Sequence, residues 1–198
     1  MSIFKDRVVL LIGGRRLITE AMVRHFLEQG VEQVRAYSGD EEGLTALRDG
    51  LRAADAVAAA RVKYYVGDVN DPAYLAEAME GVDYVVYETW TLNLETCEAD
   101  PADACMALLN PVNVVMDAAI QQKVQKLVVI GQNYAEPPYD TRSLIAVLLE
   151  KVVIGQGKRR AKDDASSISF VRSTGEDIFE DVNAAFTQVL GAKTYQSI

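Results

Sequence analysis

The chain reads as an α/β protein, a parallel sheet of about six strands with helices on both faces. An apolar, β-branched run, Val8-Val9-Leu10-Leu11-Ile12, breaks at the paired glycines Gly13-Gly14. It leads into residues 21–27, whose apolar side chains recur at helical spacing. Strand-like and helix-like stretches then alternate to the end of the chain. One of them, Lys126-Leu127-Val128-Val129-Ile130-Gly131, is apolar almost throughout, the composition of a strand covered on both faces. A buried strand, a tight glycine turn and a helix at the head of such a series open a doubly wound, Rossmann-like domain. With 198 residues, no internal repeat and no low-complexity linker, the chain is expected to be a single such domain over 1–198, ending in a short helical tail at about 176–198.

The elements follow in order. Gly30 closes the first helix, and Gln33-Val34-Arg35-Ala36-Tyr37 is the second strand. A turn and helix cap at Ser38-Gly39-Asp40 precede a helix over 41–60, rich in Ala, Leu, Glu and Arg. Residues 61–66 form the third strand, which ends at Gly67-Asp68, and Asp71-Pro72 caps a short helix to Met79 with Gly81 after its end. The fourth strand, 82–87, leads into a loop over 88–100 that carries the only tryptophan, Trp90. A long helix from Pro101 to about Gln122 contains Pro111, which removes a hydrogen bond and is expected to kink it. After the fifth strand come a helix over 139–155, a sixth strand over 167–172 and an amphipathic helix over 176–190. The helix over 139–155 is apolar nearly all round, through Leu144-Ile145-Ala146-Val147-Leu148-Leu149 and Val152-Val153-Ile154. A sheet on one side leaves the other stripe to be buried, either against another subunit or under the chain's own tail.

Composition narrows the function classes. Hydrophobic residues at 49% and charged residues at 25% are ordinary for a globular protein. A formal charge of -9 argues against an electrostatic nucleic-acid or anionic-membrane binder, which needs a basic face. The basic run Lys158-Arg159-Arg160-Ala161-Lys162 is short, is followed by Asp163-Asp164, and reads as a solvated helix end, with a docking site as the alternative. Cys97 and Cys105 lack metal or disulfide spacing, and the only histidine, His25, lies inside the first helix, so no metal site is expected. No apolar run of about 18 residues is present for membrane insertion, and residues 1–6 do not read as a signal peptide. A cytoplasmic location with free thiols is the expectation.

The glycine turn holds the first functional question. In a dinucleotide-binding turn the first glycine makes the bend, the second lets backbone approach the pyrophosphate, and the third lets helix and strand pack closely. The two later places hold Arg16 and Thr19, so side chains are expected where a pyrophosphate needs bare backbone. Arg15 and Arg16, at a helix N-terminus, offer N–H groups and guanidiniums to a phosphate or carboxylate. The competing reading pairs them with Glu20, Asp68 or Glu88.

Several stretches together carry a resemblance: residues 10–14, Phe26-Leu27-Glu28-Gln29-Gly30-Val31, Ala36-Tyr37-Ser38, Val66-Gly67-Asp68-Val69-Asn70-Asp71 and residues 78–86. Cys97-Glu98, Pro101 and Asn113-Val114-Val115-Met116-Asp117-Ala118-Ala119-Ile120 add to it. From about Val8 to Arg172 the chain resembles the extended short-chain dehydrogenase/reductase (NAD-dependent epimerase/dehydratase) superfamily. The polysaccharide-biosynthesis branch, with its UDP-N-acetylglucosamine 4,6-dehydratases, is the most similar part.

That resemblance implies a GGxGxxG turn for NAD(P), a Ser/Thr residue after the fifth strand, and a YxxxK pair in which tyrosine is the acid/base and lysine lowers its pKa and holds the ribose. On this chain the Ser/Thr region falls on Gly131-Gln132-Asn133-Tyr134, the tyrosine near Arg142 and the lysine near Ala146, and YxxxK occurs nowhere. The asparagine and glycine of a helical NxxG fall on Leu108 and Pro111, and the basic residue that often follows the second strand falls on Gly39. Asp68, beside the adenine in the family, remains, as do Gly13 and Gly14. These residues, with Arg15 and Arg16, are the cofactor-binding candidates; the alternative is a turn-forming role alone. Relatives continue beyond the point matching Ile198 into a lobe that helps build the sugar-nucleotide pocket, so little is expected here to hold a substrate.

Three functions are therefore on the table. The first expectation is a catalytically inactive scaffold or regulatory subunit with no cofactor, forming a homo-oligomer or a hetero-oligomer through the helices near 101–122 and 141–155, with Leu144, Val147, Leu148 and Val152 at the interface. The alternatives are a nucleotide or sugar-nucleotide sensor built on the turn from Gly13 to Arg16, and a residual NAD(P)-dependent dehydratase or epimerase of polysaccharide biosynthesis. For the last, Tyr134, Tyr139, Arg142 and Glu88 stand near the strand carboxyl ends, where α/β folds bind ligands.

Overall fold

The structure, a computed structural model, describes residues 2–13, 16–89, 93–134, 137–160, 166–173 and 178–187. In chain order these form β1 (Val8–Ile12), α1 (Arg16–Glu28), β2 (Gln33–Ser38), α2 (Glu41–Ala54), α3 (Ala56–Ala59), β3 (Val62–Val66) and α4 (Pro72–Met79). Then come β4 (Tyr84–Glu88), α5 (Leu94–Ala99), α6 (Pro101–Gln121), β5 (Lys126–Gln132), α7 (Thr141–Arg160), β6 (Ser167–Ser173) and α8 (Ile178–Thr187). The six strands make one sheet in the order β3-β2-β1-β4-β5-β6, every neighbouring pair parallel. This is the doubly wound, Rossmann-like order that the alternation predicts.

Strand alternation divides the core. Val9 and Leu11 of β1 face a layer with Phe26 of α1, Leu47 of α2 and Phe186 of α8. Leu10 and Ile12 face a second layer with Leu75 of α4, Met116 of α6 and Leu149 of α7. Both faces of the central strands β1, β4 and β5 are covered, which is why they read as nearly continuous hydrophobic runs, while the edge strand β3 leaves Lys63 and Val66 exposed. Arg7 and Asp83, paired at 2.9 Å, tie the chain ahead of β1 to the start of β4.

Three expected elements differ in the structure, each for a local reason. The helix expected over 41–60 is broken at Asp55, whose extended backbone (φ -155°) lets its carboxylate cap α3 through Val57 N and Ala58 N. Asp prefers that capping role to a helix interior. The expected loop over 88–100 contains α5, begun by Asn93, whose side chain accepts from Thr96 N at 2.7 Å. The helix expected over 139–155 starts at Thr141, where Asp140 accepts from Ser143 N at 2.7 Å, and continues through two glycines to Arg160. Gln156 holds that last part by donating to Asn113 of α6 at 2.8 Å. The helix expected over 176–190 is α8, Ile178–Thr187, within the described residues.

Helix α6 has the length and apolar composition of a membrane span, although it carries Asp103 and Asp117. Here Val112, Val115, Met116 and Ala119 bury its inner stripe against the sheet, and the buried Pro111 is accommodated without ending the helix. Lys158 and Arg159 are exposed in the last turn of α7, as expected for a solvated end; residues 161–165 and Trp90 lie outside the described residues.

Candidate functional site

Strand order reverses between β1 and β4, so the connections leaving β1 and β4 part at the carboxyl edge of the sheet and leave a crevice. A cleft of about 600 Å³ opens there, lined by Ile12 and Gly13 at the end of β1, Tyr37 to Asp40 at the end of β2 and the turn after it, Val66 to Val69 at the end of β3 and the turn after it, and Tyr87 and Glu88 of β4. That volume lies within the roughly 300–1,000 Å³ usual for small-molecule sites.

Each wall is built by identifiable contacts. Gly13 N donates to Tyr37 O at 3.2 Å, carrying the β1–β2 ladder to the cleft edge. Tyr37 turns its hydroxyl to Asp68 O at 2.8 Å and so pins the turn after β3 to the end of β2. Burial, and then the nearby Asp71, Tyr74 and Asp68, push its phenol up to about 12, so it is a neutral donor at ordinary pH. Burial likewise raises the Tyr87 phenol. Asp68 Oδ1 accepts from Asn70 N at 2.8 Å and from Asn70 Nδ2 at 3.0 Å, an Asx turn that shapes the floor. Asp40 accepts from Gly43 N at 2.9 Å and caps α2 from the cleft mouth.

Two glycines are dictated by contact. A Cβ on Gly67 would lie 2.5 Å from the Tyr74 ring and 2.7 Å from the Tyr37 hydroxyl, and one on Gly13 would lie 2.9 Å from Thr19 Oγ1 and 3.2 Å from Glu88 Oε2. Thr19 thus corrects one expectation. It is buried, 9% exposed, against Gly13 at the junction of α1 and β1, and it does not line the 600 Å³ cleft. A side chain at the third glycine place enters the helix–strand contact instead of the ligand space. Gly14, Arg15 and the Arg16 side chain lie outside the described residues, and Glu20 pairs with Arg24 at 2.9 Å.

The region expected to hold the proton-transfer residues has different chemistry. Gly131, one residue before the end of β5, makes room for the Phe170 ring, which a Cβ there would strike. Tyr134 donates to Glu150 at 2.7 Å, and the Arg172 guanidinium lies 4.5 Å from the Tyr134 ring centre and bonds both Glu150 oxygens, at 2.6 and 3.1 Å. Burial of Glu150 pushes its pKa up, but the bonds from Arg172 and Tyr134 and the charges of Arg172 and Lys151 outweigh it, so the carboxyl is held below the usual value. Arg142 is half-buried in the first turn of α7. Its charge opposes the burial that raises the Cys97 thiol of α5. Tyr139 is 81% exposed.

The interface candidates occupy one stripe of α7. Ile145, Leu149 and Val153 are buried, whereas Leu144 and Leu148 are 55% and 43% exposed and Val147 and Val152 are half-buried. His25 is held by Asn183 at 3.2 Å and stacks on Phe179, a packing role, and no metal-ligating cluster occurs among the described residues. Tyr37, Ser38, Gly67 and Tyr87 line the cleft without having been candidates; their places at the ends of parallel strands are the signal that singles them out.

Comparison with known proteins agrees with this geometry. The model of the family described as polysaccharide biosynthesis protein matches residues 9–175. A UDP-glucose 4-epimerase of Rickettsia conorii is 30% identical over 162 residues, 80% of this chain but 46% of the epimerase, so the chain spans less than half of that relative. The X-ray structure of Pen from Bacillus thuringiensis superposes with a TM-score of 0.75 at 26% identity, covering 86% of this chain and 50% of Pen. The Bordetella bronchiseptica enzyme WbmF, solved in complex with NAD+, shares the fold with a TM-score of 0.61 at 17% identity, over 85% of this chain and 50% of WbmF. The chain belongs to the polysaccharide biosynthesis protein family, within the extended short-chain dehydrogenase/reductase superfamily.

Proposed function

We propose that the cleft takes the adenosine half of NAD(P) and that the chain is the cofactor-binding part of a sugar-nucleotide epimerase or dehydratase. The observation that carries this reading is the open cleft at the switch point, bounded by Gly13 and Gly67, where a Cβ would crowd its neighbours. The epimerase relative and the NAD+ complex of WbmF support it. It departs from the expectation of a scaffold that binds no cofactor. The residues that would hold the group are Gly13 at the phosphates, with Gly14, Arg15 and Arg16 continuing that turn, Ser38 and Asp40 at the ribose, and Asp68 beside the base. Bound nicotinamide supplies hydride transfer. The chain's own residues hold the adenosine half in the cleft and so orient the rest of the cofactor.

Position 142 holds an arginine, whose guanidinium only donates, and Ala146 has no polar side-chain atom, so neither supplies the tyrosine and lysine of the family's pair. This observation favours a second reading, a nucleotide-binding subunit that does not turn over and acts through its partners. In both readings α6 and α7 join two protomers through Leu144, Val147, Leu148 and Val152. Cytoplasmic residence belongs to the same proposal, in keeping with Cys97 and Cys105, which are both free thiols.

Native mass spectrometry with NAD(H), NADP(H) and UDP-sugars, paired with NMR detection of UDP-glucose and UDP-galactose interconversion, tests these readings. One dinucleotide per protomer with interconversion is the enzyme, and one dinucleotide without it is the subunit. Failure to retain either dinucleotide at millimolar concentration contradicts both.

A further inference from the structure

We infer that the Glu88 carboxylate is a built-in competitor for the phosphates of the dinucleotide, and that it sets how tightly the cleft holds its cofactor. The inference rests on the proposed cofactor role and names the residue that tunes affinity at that site.

Glu88 is the last residue of β4, and the backbone around it is fixed. It pairs in register with Ile130, and Thr89 donates to Ile130 O from its N–H at 3.0 Å and from its hydroxyl at 2.9 Å. Alternation along β4 turns Val86 toward the layer that holds α1 and Tyr87 toward the other, so Glu88 faces the α1 side. Its Oε2 lies 3.2 Å from the point where Gly13 would carry a Cβ, and Thr19 Oγ1, in the first turn of α1, lies 2.9 Å from the same point. A carboxylate only 6% exposed therefore stands at the glycine turn where α1 begins. The free N–H groups and dipole of a helix N-terminus favour negative charge, and α1 has no acidic residue in its own first turn. Glu88 supplies that charge from the neighbouring strand.

A dinucleotide brings its pyrophosphate to that same turn. Arg15 and Arg16 continue the turn with side chains outside the described residues, and the direction of the effect is the same wherever they point. An arginine that pairs with Glu88 is withdrawn from the phosphates, and one that faces the phosphates has its charge partly offset by a carboxylate a few ångströms away. Glu20, another acidic group that could take an arginine of the turn, is held by Arg24 at 2.9 Å. In either arrangement Glu88 opposes an arriving diphosphate. The base and ribose, placed at Asp68 and Asp40 on the β2–β3 side of the cleft, lie across β1 from it and feel it far less.

The test is calorimetric titration of the full chain with adenosine, ADP and NAD, beside the same titrations of Glu88→Gln, which keeps the shape of the side chain without its charge. Removing a like charge a few ångströms from the phosphates should tighten ADP and NAD about tenfold or more, while adenosine, which carries no phosphate, changes by less than about twofold. Glu88→Ala should give the same pattern, so the outcome does not hang on the folding of one variant. ADP and NAD bound no more tightly by the variants than by the parent, or adenosine tightened as much as ADP, overturns the inference while leaving the cofactor role standing. No binding of NAD by parent and variants alike overturns the cofactor role and the inference with it.

Discussion

Lys126 begins β5 with only 4% of its surface exposed, and its ammonium has one hydrogen bond, to Ser167 Oγ at a long 3.4 Å. Burial pushes the amine down from 10.5 to about 8. At about 1.4 kcal/mol per tenfold change in proton affinity, that fall corresponds to about 3 kcal/mol of folding free energy lost while the amine is charged. The pH window follows from the direction. Below about pH 8 the amine is protonated in both folded and unfolded chains, and the full cost applies. Between about 8 and 10.5 the unfolded chain binds more protons than the folded one, so stability from this group rises with pH. Lys126→Met, close in volume, should therefore stabilise the protein by about 3 kcal/mol at pH 7, with the advantage shrinking to about 1 kcal/mol at pH 10. Urea unfolding of both proteins at the two pH values measures it. A Met variant no more stable at pH 7, or an advantage that does not change with pH, would refute the reasoning.

Other outcomes follow from the same contacts. Glu150→Ala removes the buried carboxylate that Tyr134 and Arg172 bond and should cost about 1–3 kcal/mol in urea unfolding; because the Glu150 carboxyl is held below its usual value, the stability it contributes is present above the ordinary carboxylate range and lost as pH falls through the folded value. A Glu150→Ala loss under 1 kcal/mol at pH 7 would contradict this. Gly67→Ala forces a methyl group against Tyr74 and Tyr37 and should cost about 1–3 kcal/mol and weaken nucleotide binding; unchanged affinity would place the nucleotide elsewhere. On the proposed α7 interface, the parent should sediment as an oligomer and Leu148→Asp as a monomer in sedimentation velocity, and a variant that sediments like the parent removes α7 as the interface.

The central strands β1, β4 and β5 were legible because both their faces are buried, so each appears as an apolar run, whereas the edge strand β3, with Lys63 and Val66 exposed, was legible from its β-branched and aromatic residues. Helix ends were less so. Asp55 sits in a stretch of strong helix formers, and only its capping of Val57 and Ala58 shows that the chain breaks there. Gly155 resembles a helix stop, yet α7 runs on because Gln156 reaches Asn113 across 43 residues of sequence. At the site, Gly13 and Asp68 stood out as turn residues and do line the cleft. The need for glycine at 67 depends on Tyr37 and Tyr74 converging on it from separate elements, which no local pattern encodes. Thr19 looked like an obstruction because spacing alone does not distinguish a residue under the turn from one above it.

Hydrogen–deuterium exchange of the full chain with and without NAD addresses nucleotide binding in this cleft most directly, since it reports both binding and place. The account expects slowed exchange at the amides of Gly13, Ser38 to Asp40 and Gly67 to Val69, with β6 and α8 unchanged. Exchange unaltered by saturating NAD, or protection confined to α6 and α7, would contradict it.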